Sequence, residues 1–273
     1  MSDATTTHAP HISVRELTMA YGSFVVMRNL TFDIKRGEVF VIMGGSGCGK
    51  STLLRHLIGL LRPAAGKIAY DGVDFTDADE ESRMLMLRKF GVMYQGGALW
   101  SSLTLSENVA LPLEEFTELS PEDIKEIVSL KLALVGLRGY EEFYPAEISG
   151  GMCKRASLAR AMALDPEILF FDEPSAGLDP VSARRLDELI LQLRDSLGTT
   201  VVVVTHELAS IFAIADRAIF LDVSKRTTGG IGNPREMRLN SPNDNLRLFL
   251  NRGVLGENLV LDPATGAPKV SQH

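Results

Sequence analysis

The run Gly44-Gly45-Ser46-Gly47-Cys48-Gly49-Lys50-Ser51-Thr52 constrains this chain more than any other stretch. It fits the pattern G-x-x-x-x-G-K-[ST], and its flanks are of the kind that pattern requires. Before it lies Val39-Phe40-Val41-Ile42-Met43, a continuous apolar run that reads as a fully buried strand. After it, Leu53, Leu54, Leu57, Ile58 and Leu61 recur at helical spacing up to the stop at Arg62-Pro63. Glycines at such a turn let backbone N–H groups crowd against phosphate oxygens with no Cβ in the way. The helix N-terminus adds roughly half a positive charge at the same spot. Lys50 is then placed to reach β- and γ-phosphates, and the Ser51 hydroxyl to ligate Mg²⁺. A tight glycine turn with a surface lysine would not need these flanks. The stretch implies a nucleoside-triphosphate site.

A second run answers the first. Ile168-Leu169-Phe170-Phe171 ends in Asp172-Glu173, so a buried strand would deliver one acid to the phosphate site and a second beside it. Asp172 suits a Mg²⁺ ligand, and Glu173, pointing elsewhere, suits a group that polarises an attacking water. Alone, these residues would equally be a strand end with solvated acids; beside a phosphate loop they read as chemistry.

The rest of the chain supplies strands and helices in alternation. His11–Met19 and Val25–Ile34 read as half-buried strands, 66–72 as a short strand, Ala78–Lys89 as a charged helix and Phe90–Tyr94 as a buried strand. From 96 to 163 the texture turns helical, with Ser120-Pro121-Glu122-Asp123 as a helix start and Gly136 as a terminator. A helix over Ala183–Leu197, a strand Thr200–Val204, a helix from Glu207 and a strand Ala218–Leu221 follow; order weakens beyond Thr228. Such alternation implies an α/β fold with a parallel sheet covered on both faces. The expected organisation is a disordered tail (1–10), a core in two parts (11–95 and 164–235), an inserted helical subdomain (96–163) and a C-terminal extension (236–273). Leu246, Leu248, Phe249, Leu250, Leu255, Leu259, Val260 and Leu261 leave that extension with apolar area to bury.

Formal net charge is −7, which argues against a nucleic-acid binder held by a broad basic surface. No apolar run approaches the ~20 residues that span a bilayer, and the first residues have no signal-peptide pattern; a membrane role would come through a partner. Cys48 and Cys153 lack metal-ligand spacing, so a reduced cytoplasmic setting is expected. Cys48 lies beside a helix N-terminus and Lys50, which favour a lowered thiol pKa; an inert small residue is the preferred reading.

Taken together, these features resemble the nucleotide-binding subunit of ABC transporters, over roughly residues 11–235. The resemblance implies a P-loop NTPase (RecA-like) core with an N-terminal antiparallel β subdomain and an inserted α-helical subdomain, hydrolysing ATP with Mg²⁺. In it, Tyr21 matches the aromatic that stacks on adenine and Gln95 the glutamine that senses Mg²⁺ and the attacking water. Ser149-Gly150-Gly151 matches the signature motif that closes on the partner chain's ATP, and Gly177-Leu178-Asp179 the loop crossing the dimer interface. Asp172 and Glu173 match the Mg²⁺ and general-base positions, and His206 the switch histidine. A homodimer is implied, because each signature serves the other chain's nucleotide. One position departs: Met152 stands where the family commonly has Gln. Ser-Gly-Gly-Met-x-[KR]-Arg, and the segment from Gln95 through Trp100 to Thr104, resemble the ATPases of Mla-type lipid transporters. That resemblance implies an integral permease, an MCE-domain lipid-binding protein and a STAS-domain small subunit as partners, no nucleic acid, and a place on the cytoplasmic face of the bacterial inner membrane. Alternatives are an importer ATPase for a small polar solute, a soluble ABC ATPase of DNA repair or translation, and a binding module without turnover. The single cassette and the net charge weigh against the soluble ATPase, and Glu173 with His206 against the binding module. Trp100, the only tryptophan, is expected with Leu99 and Leu103 to line the groove that receives the permease.

Overall fold

The computed structural model describes residues 9–252, 259–261 and 268–270. The first half of the chain forms β1 (Ile12–Tyr21), β2 (Phe24–Ile34), β3 (Val39–Met43), α1 (Lys50–Leu57), β4 (Ala65–Tyr70), β5 (Val73–Asp74), α2 (Glu80–Leu87), β6 (Phe90–Met93), α3 (Leu105–Phe116) and α4 (Pro121–Leu134). The second half forms α5 (Gly150–Ala161), β7 (Ile168–Asp172), α6 (Pro180–Leu197), β8 (Thr200–Val204), α7 (Leu208–Ile214), β9 (Arg217–Asp222), β10 (Thr227–Gly232), α8 (Pro234–Asn240) and α9 (Asp244–Leu250), with a short ribbon β11 (Leu259–Leu261) and β12 (Pro268–Val270).

A six-stranded sheet in the order β10-β9-β3-β8-β7-β6 lies at the centre, parallel except for β10. Its inner strands β3, β7 and β8 are apolar at nearly every position because both faces are covered. Val39, Val41 and Met43 enter one core, whereas Phe40 and Ile42 enter the other. The same alternation splits Leu169 and Phe171 from Ile168 and Phe170, and Val201 and Val203 from Val202 and Val204. The period of two thus decides which layer each side chain holds. On one face sit the helices: Val109 and Leu113 of α3, Leu132 of α4, Leu158 of α5, Leu186 and Ile190 of α6. On the other, an antiparallel sheet β2-β1-β4-β5 packs Ile12, Leu17, Leu30 and Ile34 with Leu53, Leu54 and Leu57 of α1.

Helix starts follow local chemistry. Thr104 and Glu107 form a reciprocal capping box on α3, and the Ser120 side chain accepts the Asp123 N–H at α4. Two helices differ from the sequence reading for this reason. The Asp79 carboxylate accepts the Ser82 N–H, so α2 spans Glu80–Leu87 rather than 78–89. Asp179 and Pro180 start α6 three residues before Ala183.

The larger correction is at the C-terminal side. Order does not weaken between Thr228 and residue 252, and the core does not stop at 235. Strand β10 pairs with β9 from Thr227 to Gly232, and α8 and α9 fold back on both strands. Leu246 and Leu250 are fully buried against the chain's own helical-face core, with Met237 beside them and Phe249 packed on it. Leu246, Phe249 and Leu250 are therefore consumed within the chain, and residues 236–252 are core rather than extension. Of the expected disordered tail, residues 1–8 lie outside the described residues, as do 253–258, 262–267 and 271–273. Among the described residues no helix is long and apolar enough to cross a membrane.

Candidate nucleotide site

Strand β3 ends at Met43 and α1 begins at Lys50, so residues 44–49 loop over a helix N-terminus. Gly49 caps that helix at φ 94°, and a Cβ there would lie 2.8 Å from Cγ1 of Val26 on β2. Only glycine both turns the chain this way and lets the loop close against the antiparallel sheet. Lys50 is buried and donates from Nζ to the Gly44 and Gly45 carbonyls at 3.0 and 3.1 Å. An ammonium has three protons, so one remains for an anion in the loop. Cys48 is also buried, and burial pushes its thiol pKa up despite nearby Lys50. It is an inert packing residue.

A cleft of about 510 Å³ gathers Tyr21, the loop residues Ser46 to Thr52, Gln95, Glu173 and His206. Asp172 joins it from the end of β7: the Ser51 hydroxyl donates to Asp172 Oδ1 at 3.0 Å. Burial raises the Asp172 carboxyl pKa, and the Ser51 hydrogen bond offsets part of that cost. A desolvated carboxylate paired only with a hydroxyl makes two hard oxygen donors, the chemistry a Mg²⁺ ion takes. The donor set therefore fits that ion.

Glu173 is held differently. Its backbone sits at φ 49°, a conformation that costs a Cβ-bearing residue roughly 1–2 kcal/mol. Its N–H donates to the Val204 carbonyl at 2.8 Å, which fixes the turn after β7 to the neighbouring strand β8. His206 Nδ1 lies 2.7 Å from Glu173 Oε1, within hydrogen-bond reach of that carboxylate oxygen. Glu173 Oε2 is buried and has no partner among the described residues. One carboxylate oxygen is thus anchored and the other is free to accept a proton.

Not every expected residue enters this cleft. Ser149 and Gly151 line a second cleft of about 460 Å³ with Met152, Arg155 and Leu178. The Ser149 hydroxyl accepts the Met152 N–H at 3.2 Å as N-cap of α5, and Gly150 is exposed. Asp179 caps α6, accepting the Val181 and Ser182 N–H groups at 3.0 Å, and those bonds with the Ser182 side chain hold its pKa low. Within one chain, Ser149, Gly150, Gly151 and Asp179 therefore stand apart from the phosphate loop.

Phe24 was not singled out in the sequence and lines the nucleotide cleft. It is 59% exposed, pairs with Tyr21 across the two-residue turn Gly22-Ser23, and carries the Arg226 guanidinium 5.5 Å from its ring centre. Two aromatics flanking a two-residue hairpin turn were the available signal. A cluster at the far end of the sheet, His11, Asp71 and Glu167, has metal-like spacing, yet Arg36 bridges both acids and Lys89 holds Glu167. It is a satisfied ion-pair network.

The ABC transporter family profile matches residues 27–176. The intermembrane phospholipid transport system ATP-binding protein MlaF of Haemophilus influenzae is 41% identical over 210 residues, 77% of this chain and 80% of that protein. MlaF of Escherichia coli K12 is 38% identical, covering 88% of each chain. The probable ribonucleotide transport ATP-binding protein mkl of Mycobacterium leprae is 42% identical over 90% of this chain and 70% of its own length. Among solved structures, a dimeric ATP-binding cassette in a post-hydrolysis state with ADP and Pi superposes with a TM-score of 0.74 at 30% identity, covering 81% of this chain and 98% of that one.

Proposed function

The chain belongs to the ABC transporter family as an ATP-hydrolysing subunit, and from that premise we propose that it drives phospholipid transport between bacterial inner and outer membranes. The observation that carries this reading is the 41% identity to a phospholipid-transport ATPase over 77% of the chain. The relative described as a probable ribonucleotide transport protein supports a second reading, in which the cargo is a polar solute.

For the chemistry, Lys50 and the backbone N–H groups of 44–52 hold the β- and γ-phosphates, and Tyr21 with Phe24 offers flat apolar faces to the base. Ser51 and Asp172, with Gln95 beside them, hold Mg²⁺, which supplies charge neutralisation on the phosphates when bound. Glu173 Oε2 accepts the proton of the attacking water, because Oε1 is already fixed by His206. His206 keeps the carboxylate oriented and presents Nε2 toward the cleft. Ser149, Gly150, Gly151 and Asp179 complete the site of a second copy, since they cannot serve the phosphate loop of their own chain. A homodimer with two shared sites follows.

The permease, an MCE-domain lipid-binding protein and a STAS-domain subunit are the partners of this reading, on the cytoplasmic face of the inner membrane. An apolar groove of about 300 Å³ between α2, β6, α3 and α5, lined by Met84, Leu87, Phe90, Pro112, Phe116 and Leu164, is open to a permease helix. Leu99, Trp100 and Leu103 lie outside the lining of this groove. Trp100 is 62% exposed and is not subdomain core. The test is reconstitution of the chain with its permease in proteoliposomes. ATP-dependent transfer of labelled phospholipid supports the first reading; uptake of labelled ribonucleotide with no lipid transfer supports the second.

A further inference from the structure

The helix that opens with Ser149 also grips the loop that follows β6. Lys154, Ser157 and Arg160 recur every third residue of α5 and so share one face of it. The Lys154 ammonium donates to the backbone carbonyl of Gln95, and Arg160 donates to the carbonyls of Gly97 and Ala98 at 2.9 and 2.7 Å. Between them Ser157 is fully buried against Gly97, where a Cβ would lie 2.6 Å from the Ser157 hydroxyl at a φ of +75°. Carbonyls of residues 95, 97 and 98 are thus held by one helix, while the Gln95 side chain stays exposed at the nucleotide cleft.

Lys154 differs from the other two. It is 8% exposed, its charge lies in the field of Asp172 and Glu173, and no second partner is present among the described residues. A buried ammonium between a loop carbonyl and two site carboxylates costs several kcal/mol unless those groups compensate it. Its placement is therefore tied to the charge state of the nucleotide site.

We propose that Lys154 is a positioning residue that couples the nucleotide site of its own chain to the Ser149-Gly150-Gly151 turn offered to the other chain. This rests on the shared-site reading above. The link works through geometry: movement of Gln95 carries its backbone carbonyl, Lys154 follows, and α5 reorients the turn at its N-terminus five residues away. Arg160 and Ser157 keep loop and helix moving as one body.

The test uses the full-length chain carrying Glu173→Gln, so that bound ATP persists, and reads ATP-driven dimerisation by light scattering. Nucleotide affinity is measured separately with a fluorescent ATP analogue. With Lys154→Met added, affinity is expected within twofold of the parent, while the ATP-driven dimer requires at least tenfold more protein. With Lys154→Arg, which keeps charge and donors, dimerisation is expected within threefold of the parent. Lys154→Gln, neutral but able to donate, serves if the Met variant does not fold and is expected to lose at least threefold. Equal dimerisation by parent and neutral variants overturns the coupling, as does an Arg variant no better than the neutral ones. Absence of any ATP-driven dimer in the Glu173→Gln parent would instead strike the shared-site reading itself.

Discussion

At Glu173 the backbone is held left-handed, one side-chain oxygen is fixed by His206, and the other is buried without a partner. Glu173→Gln keeps the shape and removes the proton acceptor. ATP affinity is expected within about twofold of wild type and turnover to fall ~10²-fold or more, read from nucleotide titration and single-turnover hydrolysis. Near wild-type turnover would remove Glu173 from the chemistry. A different carboxylate governs pH dependence of stability. Asp187 on α6 is buried, accepts the Ser210 hydroxyl of α7 at 2.8 Å, and has no partner at Oδ1. Burial raises its pKa to about 6, against the Ser210 hydrogen bond, which lowers it. A raised acid favours the protonated folded state, so stability is fully present below pH ~4 and is lost as pH rises through about 6. Asp187→Asn removes the ionisation. Thermal melts should show the variant a few degrees more stable at pH 8, by an amount that shrinks through pH 6 and vanishes near pH 4. An equal difference at all three values would assign the effect to packing instead.

Among the elements, α9 shows what a local reading can and cannot reach. Leu246 and Leu250 were visible as apolar, but which surface they cover depends on β10, and β10 is written Thr-Thr-Gly-Gly-Ile-Gly, with little apolar alternation to read. Leu246→Ala should cost about 2–4 kcal/mol, as a fully buried leucine does, measured by denaturant unfolding. Loss of under 1 kcal/mol would contradict its place in the core. The phosphate loop and the end of β7 were legible for the opposite reason: an apolar run, a glycine spacing and paired acids each declare themselves within ten residues. The caps at Ser149 and Asp179 were legible as residues, but their separation from the phosphate loop depends on the fold. So does the link from Lys154 to Gln95, which spans 59 positions. The element after Gln95 carries its own expectation. Buried Asn108 accepts the Trp100 N–H at 2.7 Å and donates to the Trp100, Leu103 and Thr104 carbonyls, so the loop is rigid while the indole stays exposed. Trp100→Ala should leave folding and ATP binding intact and weaken permease binding by tens of fold, about 2 kcal/mol. Unchanged permease affinity would end that role.

At the scale of the whole molecule, the central sheet carries two anion-binding helix N-termini that open into separate clefts, one at Lys50 and one at Ser149. One chain therefore holds each half of a phosphate site but cannot close either half on itself. In the proposed arrangement two copies related head to tail satisfy both, and loss of the γ-phosphate would loosen the pair that it bridged. Helix α5, which Ser149 caps, also lines the apolar groove beside α2 through Arg160 and Ala161. The direct measurement is complementation. Subunits carrying Lys50→Ala cannot hold the phosphates, and subunits carrying Ser149→Arg cannot close on a partner's nucleotide. Mixed under conditions of subunit exchange, they form heterodimers in which one site bears both lesions and the other bears neither. ATPase activity should return on mixing, rise with protein concentration and reach a fraction of wild type, although each variant alone is inactive. Failure to recover activity in demonstrated heterodimers, or wild-type hydrolysis independent of protein concentration, would contradict a site shared between two chains.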